Sequence, residues 1–496
     1  MKLVARPNHS QSRFLKLLAI IGLLAWRLGL TWAAPPERTE VIIIGAGLSG
    51  LAAAYELTKA KVPFHILELT PRVGGRVRTV VYKIAGQPDI RVDSGMEEYW
   101  QSNPAVQVIK ELKLPHSEGG AFASLVIEKA LYLNLESPEE FQRKLFTPEE
   151  FRSLHDFEAR IRPWVKELRS GESLRPDLMK LKDLSFADFI KSQPMSHKVR
   201  EWIRISVECE IGTDWDRISA LDGVDEFGIF LGTGERSYRV TQGNEHFTES
   251  LAKAVGRRNI SLNRRVTRIV AKSPRGVEVQ FLDTERNRNE SIQGRYVICT
   301  IPLFRLFEVQ FVPALSERKQ EAIGTMTWGS YFKAHIFLPA QAARFWTTNG
   351  QSMLPILSDS ELGVIYDGNP HQTAPTKVLS LLVHGDHAEL FNLQPLDHVR
   401  SVILDRLDKF WPGIAQEVSR VEFYRYHPRA IAAWPLGRSR FDELSNEIRS
   451  PDQSIFLAGD FTESSHSSGA FHSAQRAVAS ILESRMKERA GAKVGR

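Results

Sequence analysis

A short apolar run, a glycine-rich turn and an alanine-rich helix follow one another near the start of the chain. The β-branched run Val41–Ile44 predicts a buried parallel strand. It leads into three glycines with the spacing G-x-G-x-x-G: Gly45, Gly47 and Gly50. The first permits a tight turn, the second lets a pyrophosphate approach the backbone, and the third lets the helix pack closely on the strand. This succession predicts an α/β domain that binds a phosphate-bearing ligand.

A second strand and an acidic residue complete the unit. The apolar run Phe64–Leu67 predicts the neighbouring parallel strand, and it ends at Glu68. A carboxylate at this place accepts hydrogen bonds from the hydroxyl groups of a ribose. The glycine pattern alone is a weak signal, but its register with two strands, a helix and an acid predicts a dinucleotide site.

Two further segments indicate which dinucleotide is bound. Gly74, Gly75 and Arg76 follow closely after Glu68 and resemble the G-G-R segment that lies against the FAD phosphates of flavoproteins. The alternative for this segment is a glycine-rich surface turn with solvated arginines.

The second segment lies near the other end of the chain, where an apolar strand ends in Gly459 and Asp460 before a helix of small residues. It resembles the C-terminal FAD element of flavoproteins, in which the acid binds the ribityl chain. A nicotinamide-only enzyme would not need this element, so we expect FAD. The chain has two cysteines, Cys209 and Cys299, and none follows position 299. A C-terminal thioether to the flavin is therefore excluded, and we expect the FAD to be held non-covalently.

The pattern of the remaining sequence predicts a cofactor domain interrupted by two insertions. The fold class we expect is α/β, with a Rossmann-like FAD/NAD(P)-binding domain built from three discontinuous segments and an α+β substrate-binding domain. The FAD-binding segments are 36–115, 238–310 and 426–485. The substrate-binding segments are 116–237 and 311–425, and a basic tail occupies 486–496. Aromatic residues at helical spacing indicate that the stretch 116–235 is a helical insertion.

With these motifs in place, the chain resembles the flavin-containing amine oxidase superfamily over residues 38–485. The resemblance implies that a carbon next to an amine nitrogen gives hydride to flavin N5. The imine then hydrolyses, and O2 reoxidises the flavin with formation of H2O2. Two alternatives stay open: an FAD-dependent desaturase or protoporphyrinogen-type oxidase acting on an apolar substrate, and a flavin-binding interaction protein without turnover.

The resemblance also assigns residues around the flavin. It implies that Gly95 and Met96 run beside the flavin ring and that the backbone at Val266 meets the adenine. The motif Gly-Ser-x-x-Lys before a strand and Phe-Trp implies that Lys333 holds a water near flavin N5. The alternative for Lys333 is a strand-end side chain that reaches solvent.

Two positions correspond to the aromatic cage that holds the substrate nitrogen in this superfamily. Trp434 keeps one large aromatic ring near the expected place, and His466 stands near the second. The alternatives are a core tryptophan and a polar loop histidine. We expect no metal site.

Amino-acid oxidases of the superfamily tend to carry an arginine just after the Gly-Met pair, which grips the substrate carboxylate. This chain has Glu97 and Glu98 there. Carboxylates at this place predict attraction of a cationic amine and repulsion of an amino acid. The alternative is a pair of solvated or arginine-paired acids.

The charge distribution and the N-terminal segment limit the kinds of partner and the cellular compartment that we expect. The formal charge of +6 is concentrated at the two ends of the chain, and no basic stripe interleaved with aromatics indicates a nucleic-acid partner. We expect a small-molecule amine and O2 as partners. Residues 1–35 combine basic residues, an apolar run and small residues as a signal-like leader does. They predict an exported, periplasmic or membrane-associated protein, with a cytoplasmic one as the alternative.

Overall fold

The computed structural model describes residue 35 and residues 37–120, 123–135, 137–171, 173–272, 276–425 and 427–494. Apart from Pro35, the predicted leader 1–35 lies outside the described residues. Along the described part of the chain, no helix combines the length and the apolar character needed to cross a bilayer.

A five-stranded parallel sheet forms the frame of the first domain. Its strands, in spatial order, are Ile260–Ser261, Phe64–Leu67, Val41–Ile44, Tyr296–Cys299 and Ile455–Leu457. The middle three strands are buried at every position, because helices pack on one face of the sheet and a second sheet packs on the other. The predicted strands Val41–Ile44 and Phe64–Leu67 are confirmed at both ends. Stretches far apart in the sequence therefore share one sheet.

Helices cover this sheet and give it a common apolar core. They are Leu48–Lys59, Pro104–Glu111, Glu245–Ala254 and Ser467–Val494. The first and last of them pack against each other, and the rings of Phe247 and Phe471 stack with centroids 6.2 Å apart. The predicted boundary of the basic tail at 486 falls inside the last helix.

A four-stranded sheet lies beside the parallel sheet. Its strands, in spatial order, are Arg288–Gly294, Val277–Asp283, Arg264–Ala271 and Gln310–Val312. The first three run antiparallel, and the register shifts between Val266 and Arg268. These three strands therefore form a β-meander.

A seven-stranded sheet forms the centre of the second domain. Its strands, in spatial order, are Arg420–Tyr424, Tyr331–Leu338, Lys377–His384, Val364–Asp367, Ile356–Ser358, Ser124–Ile127 and Ala130–Tyr132. Smaller sheets lie outside these three large ones. One has three strands: Tyr99–Trp100, Arg236–Val240 and His116–Gly120. The others have two strands each: Thr79–Tyr82 with Ile90–Asp93, Thr327–Gly329 with Ile431–Ala433, and Thr347–Thr348 with Gln351–Ser352.

The prediction of a purely helical insertion at 116–235 is wrong at its beginning. Before the helices, Ser124–Ile127 forms a fully buried strand that pairs in parallel with Ile356–Ser358. A run of only four buried residues carries no periodicity of its own, and its partner lies far along the chain. Tertiary pairing therefore decides its structure.

Helices make up most of the rest of this insertion, and further helices lie in the second insertion beside its strands. They are Pro138–Leu145, Pro148–Leu168, Pro176–Met179, Phe186–Lys191, His197–Ile211, Ala220–Phe227, Gly385–Leu393, Leu396–Phe410 and Ile414–Glu417. The helices Glu317–Gly324, Glu443–Arg449 and Asp460–Glu463 lie nearer the first domain. Local sequence starts several of them: Thr147 and Glu150 form a reciprocal capping box at the helix Pro148–Leu168.

Candidate active site

A cavity of about 830 Å³ runs from the carboxyl ends of the parallel strands into the second domain. Every residue predicted to contact FAD lines it except Gly50, and so do Lys333 and His466. Trp434 does not line it. The lining residues at the sheet end are those of the glycine turn, and those at the far end are acidic and aromatic.

The two glycine-rich segments form a close-packed cradle at the sheet end. The Gly74 amide donates to the Ala46 carbonyl at 2.8 Å, and a Cβ on Gly75 would lie 3.1 Å from the Cα of Gly47. Gly45 has φ +102°, a conformation that favours glycine. A Cβ on Gly50 would lie 1.9 Å from the Gly45 carbonyl oxygen, so Gly50 sets how closely the helix approaches the strand.

Glu68 is anchored to the turn by both of its carboxylate oxygens. Oε2 accepts from the Ala46 amide at 2.7 Å, and Oε1 accepts from the Thr70 amide and hydroxyl at 2.8 and 2.7 Å. The side chain is nearly buried yet still lines the cavity. Its orientation is therefore fixed. Oε1 already accepts two hydrogen bonds, and Oε2 keeps acceptor capacity for a hydroxyl group.

Arg76 and Asp460 bind each other rather than lying apart on the cavity wall. Both guanidinium nitrogens reach the carboxylate at 2.7 Å, and Asp460 also accepts from the Ala432 amide at 3.0 Å. Burial acts to raise the pKa of Asp460, but Arg76 outweighs it and holds the pKa below its ordinary value. The predicted contacts with phosphate and ribityl groups would thus come from residues that are already paired.

These residues fit FAD. A glycine cradle that any Cβ would fill suits the pyrophosphate, the fixed carboxylate of Glu68 suits a ribose, and the length of the cavity suits an extended dinucleotide. When bound, FAD supplies the hydride acceptor. The chain's own residues bind it, exclude water and set the charge around the substrate.

Lys333 is fully buried and lines the cavity, but its ammonium group is already satisfied. It donates to the carbonyls of Asp93 at 2.9 Å and Gly95 at 3.2 Å, and to Glu97 Oε1. Three acceptors use the three protons of the ammonium group. The lysine therefore fixes the Asp93–Glu97 loop, and the alternative of a solvent-reaching lysine is wrong.

Glu97 is the counter-ion of this lysine and of a buried arginine. Its Oε2 accepts from Arg239 at 2.7 Å, and Oε1 also accepts from the Ser380 hydroxyl at 3.0 Å. Burial acts to raise the pKa of Glu97, but Lys333 and Arg239 lower it. The prediction that Glu97 offers its charge to a cationic amine is wrong, because the charge is used inside the protein.

Three other glutamates face the far end of the cavity: Glu98, Glu210 and Glu226. Burial raises the pKa of Glu98, and burial raises that of Glu210 to about 7. Glu210 accepts a hydrogen bond from the Trp100 indole at 2.9 Å. We call this part of the cavity, with Trp100 and the three glutamates, the acidic chamber.

Aromatic side chains complete the acidic chamber and position its helix. The Tyr331 hydroxyl donates to the backbone carbonyls of Cys209 and Glu210 at 2.9 and 2.7 Å. Tyr366 lies beside Glu98 and stacks near the Arg239 guanidinium. Tyr331 therefore joins the seven-stranded sheet to the end of the helix His197–Ile211.

His466 enters the acidic chamber as half of an ion pair. Its Nε2 contacts Glu226 Oε2 at 2.5 Å. Burial acts to lower the pKa of His466, but Glu226 and Glu210 outweigh it and raise the pKa to about 9. The histidine is therefore cationic at neutral pH. It lies in the loop before the helix Ser467–Val494, as the polar-loop alternative predicts, and it lines the cavity.

Trp434 belongs to the core and not to the cavity. The indole is 3 % exposed, packs among apolar residues beside the four-stranded sheet, and donates to the Ser445 hydroxyl at 2.9 Å. Its assignment to the aromatic cage is wrong, since the buried indole is held by its own hydrogen bond. The core alternative is confirmed.

Sequence reasoning missed Glu210, Glu226 and Arg239. Nothing in the local pattern distinguishes Glu210 from Glu208, because both lie in a charged helix. The alternation of the strand Arg236–Val240 was visible, but the partner of Arg239 lies 142 positions away. These roles come from tertiary packing alone.

Comparison with known proteins agrees with this geometry. The model of the family of flavin-containing amine oxidoreductases matches residues 48–482. An L-amino-acid oxidase of Crotalus adamanteus is 24 % identical over 469 residues, with 88 % of this chain and 85 % of that protein covered. Polyamine oxidase 3 of Oryza sativa subsp. japonica is 24 % identical over 443 residues, with coverages of 85 % and 84 %.

Solved structures give the same fold. Wild-type putrescine oxidase bound to putrescine superposes with a TM-score of 0.74 at 20 % identity, over 90 % of this chain and all of that one. Cyclohexylamine oxidase from Brevibacterium oxydans gives a TM-score of 0.73 at 21 % identity, over 91 % and 100 %. The small-molecule partners of this family are an amine and O2. The chain belongs to the flavin-containing amine oxidoreductases and is an FAD-dependent enzyme that oxidises an amine.

Proposed function

We propose that the substrate is a cationic amine without a carboxylate group. The observation that carries this proposal is the charge of the acidic chamber, where Glu98 and Glu210 face the cavity. A concave site lined by one sign of charge concentrates ligands of the opposite sign. A substrate carboxylate would meet repulsion there.

The cations around the chamber are engaged by the protein's own acids. Arg169 binds Asp225 at 3.1 Å, and Arg440 binds the other oxygen of the same carboxylate. His466 is held by Glu226. Each of these cations is already paired with an acid of the protein and is not available to bind an amino-acid carboxylate. This supports a substrate of the amine class.

The similar proteins include both an L-amino-acid oxidase and a polyamine oxidase, so their names do not decide between an amino acid and an amine as the substrate. Glu97 at the position after Gly95 and Met96 favours the amine class. Its charge holds Lys333 and Arg239, so the site lacks the arginine that the superfamily's amino-acid oxidases tend to carry there.

The test uses the FAD-loaded full-length enzyme and matched pairs of compounds under anaerobic conditions. Each pair is an L-amino acid and the amine that its decarboxylation gives: phenylalanine with phenethylamine, leucine with 3-methylbutylamine, and ornithine with putrescine. We expect the flavin to bleach with the amine of at least one pair and not with the amino acid. Bleaching by amino acids alone, or by no compound of the panel or of a wider amine set, would overturn the proposal.

We further propose that residues 1–35 direct the chain to export or hold it near a membrane, and that no nucleic acid is a partner. The basic start, the apolar run and the small residues at 31–34 support the first point. The confinement of excess positive charge to the chain ends supports the second. Fusion of residues 1–40 to a reporter that is active only outside the cytoplasm tests the leader. A cytoplasmic, inactive fusion would favour the cytoplasmic alternative.

A further inference from the structure

Glu210 presents its carboxylate to the acidic chamber from the end of the helix His197–Ile211. The Trp100 indole donates to Oε2 at 2.9 Å. No other described side chain donates to this carboxylate, so Oε1 faces the cavity as an open acceptor. The indole fixes the direction of the group without neutralising its charge.

The contrast with Glu208 shows how unusual this arrangement is on the same helix. Glu208 is buried away from the cavity, binds Arg204 at 2.7 Å and accepts from the Trp215 amide at 3.1 Å. Glu210 has no lysine, arginine or histidine nitrogen within 4.0 Å among the described residues, since the neighbouring His466 is bound to Glu226. The carboxylate of Glu210 is therefore open to a cationic ligand that enters the cavity.

We propose that Glu210 binds the ammonium group of the substrate and takes up its proton. In this step an N–H bond of the ammonium breaks and an O–H bond forms on Glu210, which leaves a neutral amine with its lone pair. Only the neutral amine can give hydride from the adjacent carbon to FAD, and the glutamic acid later returns the proton to water. The inference rests on the proposed function.

The groups around Glu210 set the pH range in which it can act. They come from several packed elements and are Glu98, Cys209, Glu226, Tyr331, Tyr366 and His466. Burial, helped by Glu98 and Glu226, raises the pKa of Glu210 to about 7, against the opposing charge of His466. A base with a pKa near neutrality combines a deprotonated resting state with real affinity for a proton.

The first experiment measures proton release on binding, using amines that cannot be oxidised. Cumylamine and tert-butylamine carry no hydrogen on the carbon next to nitrogen. Each is titrated calorimetrically into the FAD-loaded full-length enzyme, in buffers of different ionisation enthalpy. We expect release approaching one proton at about pH 6, where Glu210 is protonated, and close to none at about pH 8.5.

Glu210→Gln should remove this change between the two pH values, and Glu210→Asp should restore part of it. Glu208→Gln is the matched control, because that carboxylate also titrates near neutrality but does not face the cavity. It should keep the wild-type pattern. Flavin absorbance and the melting temperature verify that each variant is folded and loaded.

A second measurement follows flavin reduction by the amine that bleaches the wild type. At neutral pH Glu210→Gln should reduce the rate about 100-fold and abolish the rise of rate with pH that the wild type shows around neutrality. If no amine bleaches the flavin of the wild type, the proposed function and this inference fail together. If the wild type binds but Glu210→Gln keeps the same proton release and pH profile, the inference alone is overturned.

Discussion

Arg76 and Asp460 lie 384 positions apart in the sequence and form a two-point ion pair with both N–O distances at 2.7 Å. The arginine comes from the first glycine-rich segment, and the aspartate begins the helix Asp460–Glu463. A third bond joins Arg76 to the Ala430 carbonyl at 2.6 Å. The pair thus fixes the two cofactor motifs relative to each other before any ligand is bound.

Breaking this pair should loosen both motifs. Asp460→Asn leaves the guanidinium without its charged partner, and we expect a loss of about 2–4 kcal/mol in the free energy of unfolding, together with easier release of FAD. Chemical denaturation and the flavin retained after gel filtration measure the two effects. The control is Glu139→Gln, which breaks the exposed pair with Arg143 and should cost less than about 0.5 kcal/mol. Equal losses in both variants would contradict a special role of the pair.

Glu97 should matter for stability and not for the choice between mono- and diamines. Glu97→Gln leaves Lys333 and Arg239 without their shared counter-ion, and we expect a loss of about 3 kcal/mol. The double variant Glu97→Gln with Lys333→Met should recover part of this loss, because the buried ammonium is removed as well. Urea denaturation of the two single variants and the double variant gives the coupling energy. A selective rise in KM for a diamine would instead restore the substrate-binding interpretation of Glu97.

The His466–Glu226 pair predicts a loss of stability at alkaline pH. The pKa of His466 is raised to about 9 in the folded state, against about 6.5 in the unfolded state. The stabilisation that the protonated histidine gives to the folded state is therefore fully present below about pH 6.5 and is lost as the pH rises through about 9. The contribution is up to about 3 kcal/mol. Unfolding free energies measured across this range should fall in the wild type and fall less steeply in His466→Gln. Parallel curves would show that the pair carries no such linkage.

Two glycines offer a matched test of the cradle. Gly50→Ala places a Cβ 1.9 Å from the Gly45 carbonyl oxygen, which the turn cannot avoid without moving, so we expect loss of bound FAD or of soluble protein. Gly324→Ala, in the last turn of the helix Glu317–Gly324, meets no atom within 4 Å and should be neutral or slightly stabilising. Flavin content per chain compares them. A flavin-loaded Gly50→Ala variant would contradict the close packing described for the turn.

Trp434→Phe separates a core role from a catalytic one. The substitution removes the indole and its bond to Ser445, and should cost about 1–2 kcal/mol of stability. Because Trp434 does not line the cavity, the rate of flavin reduction should stay within about twofold of the wild type. A large drop in rate with unchanged stability would return the residue to the active site.

Local patterns predicted the parts of the fold that depend on neighbours in sequence. The strands Val41–Ile44 and Phe64–Leu67 were predicted at both ends, because apolar runs bounded by glycine and charge leave little choice. The strand expected after the Gly-Ser-x-x-Lys motif begins inside that motif, at Tyr331, since pairing with Lys377–His384 extends it. Pairing partners far along the chain explain such extensions.

The candidate site was less predictable than the fold. The glycine spacing indicates a cradle. It does not reveal that Arg76 forms an ion pair with Asp460 or that Lys333 forms one with Glu97. Acids and bases in a sequence have no assigned partner until the chain is folded. Glu210 stands out only because its helix brings it to the cavity while Glu208, two positions away, is neutralised by Arg204.

The order of the parallel sheet has a consequence for how the enzyme is made. Its edge strand Ile455–Leu457 is the last of the five strands to be synthesised, and Asp460 follows it. Until then the nascent chain contains the glycine cradle, but Arg76 lacks its partner Asp460. A fragment that stops before residue 455 can neither complete the sheet nor join the two motifs. Yellow colour in a preparation therefore reports that synthesis has passed Asp460.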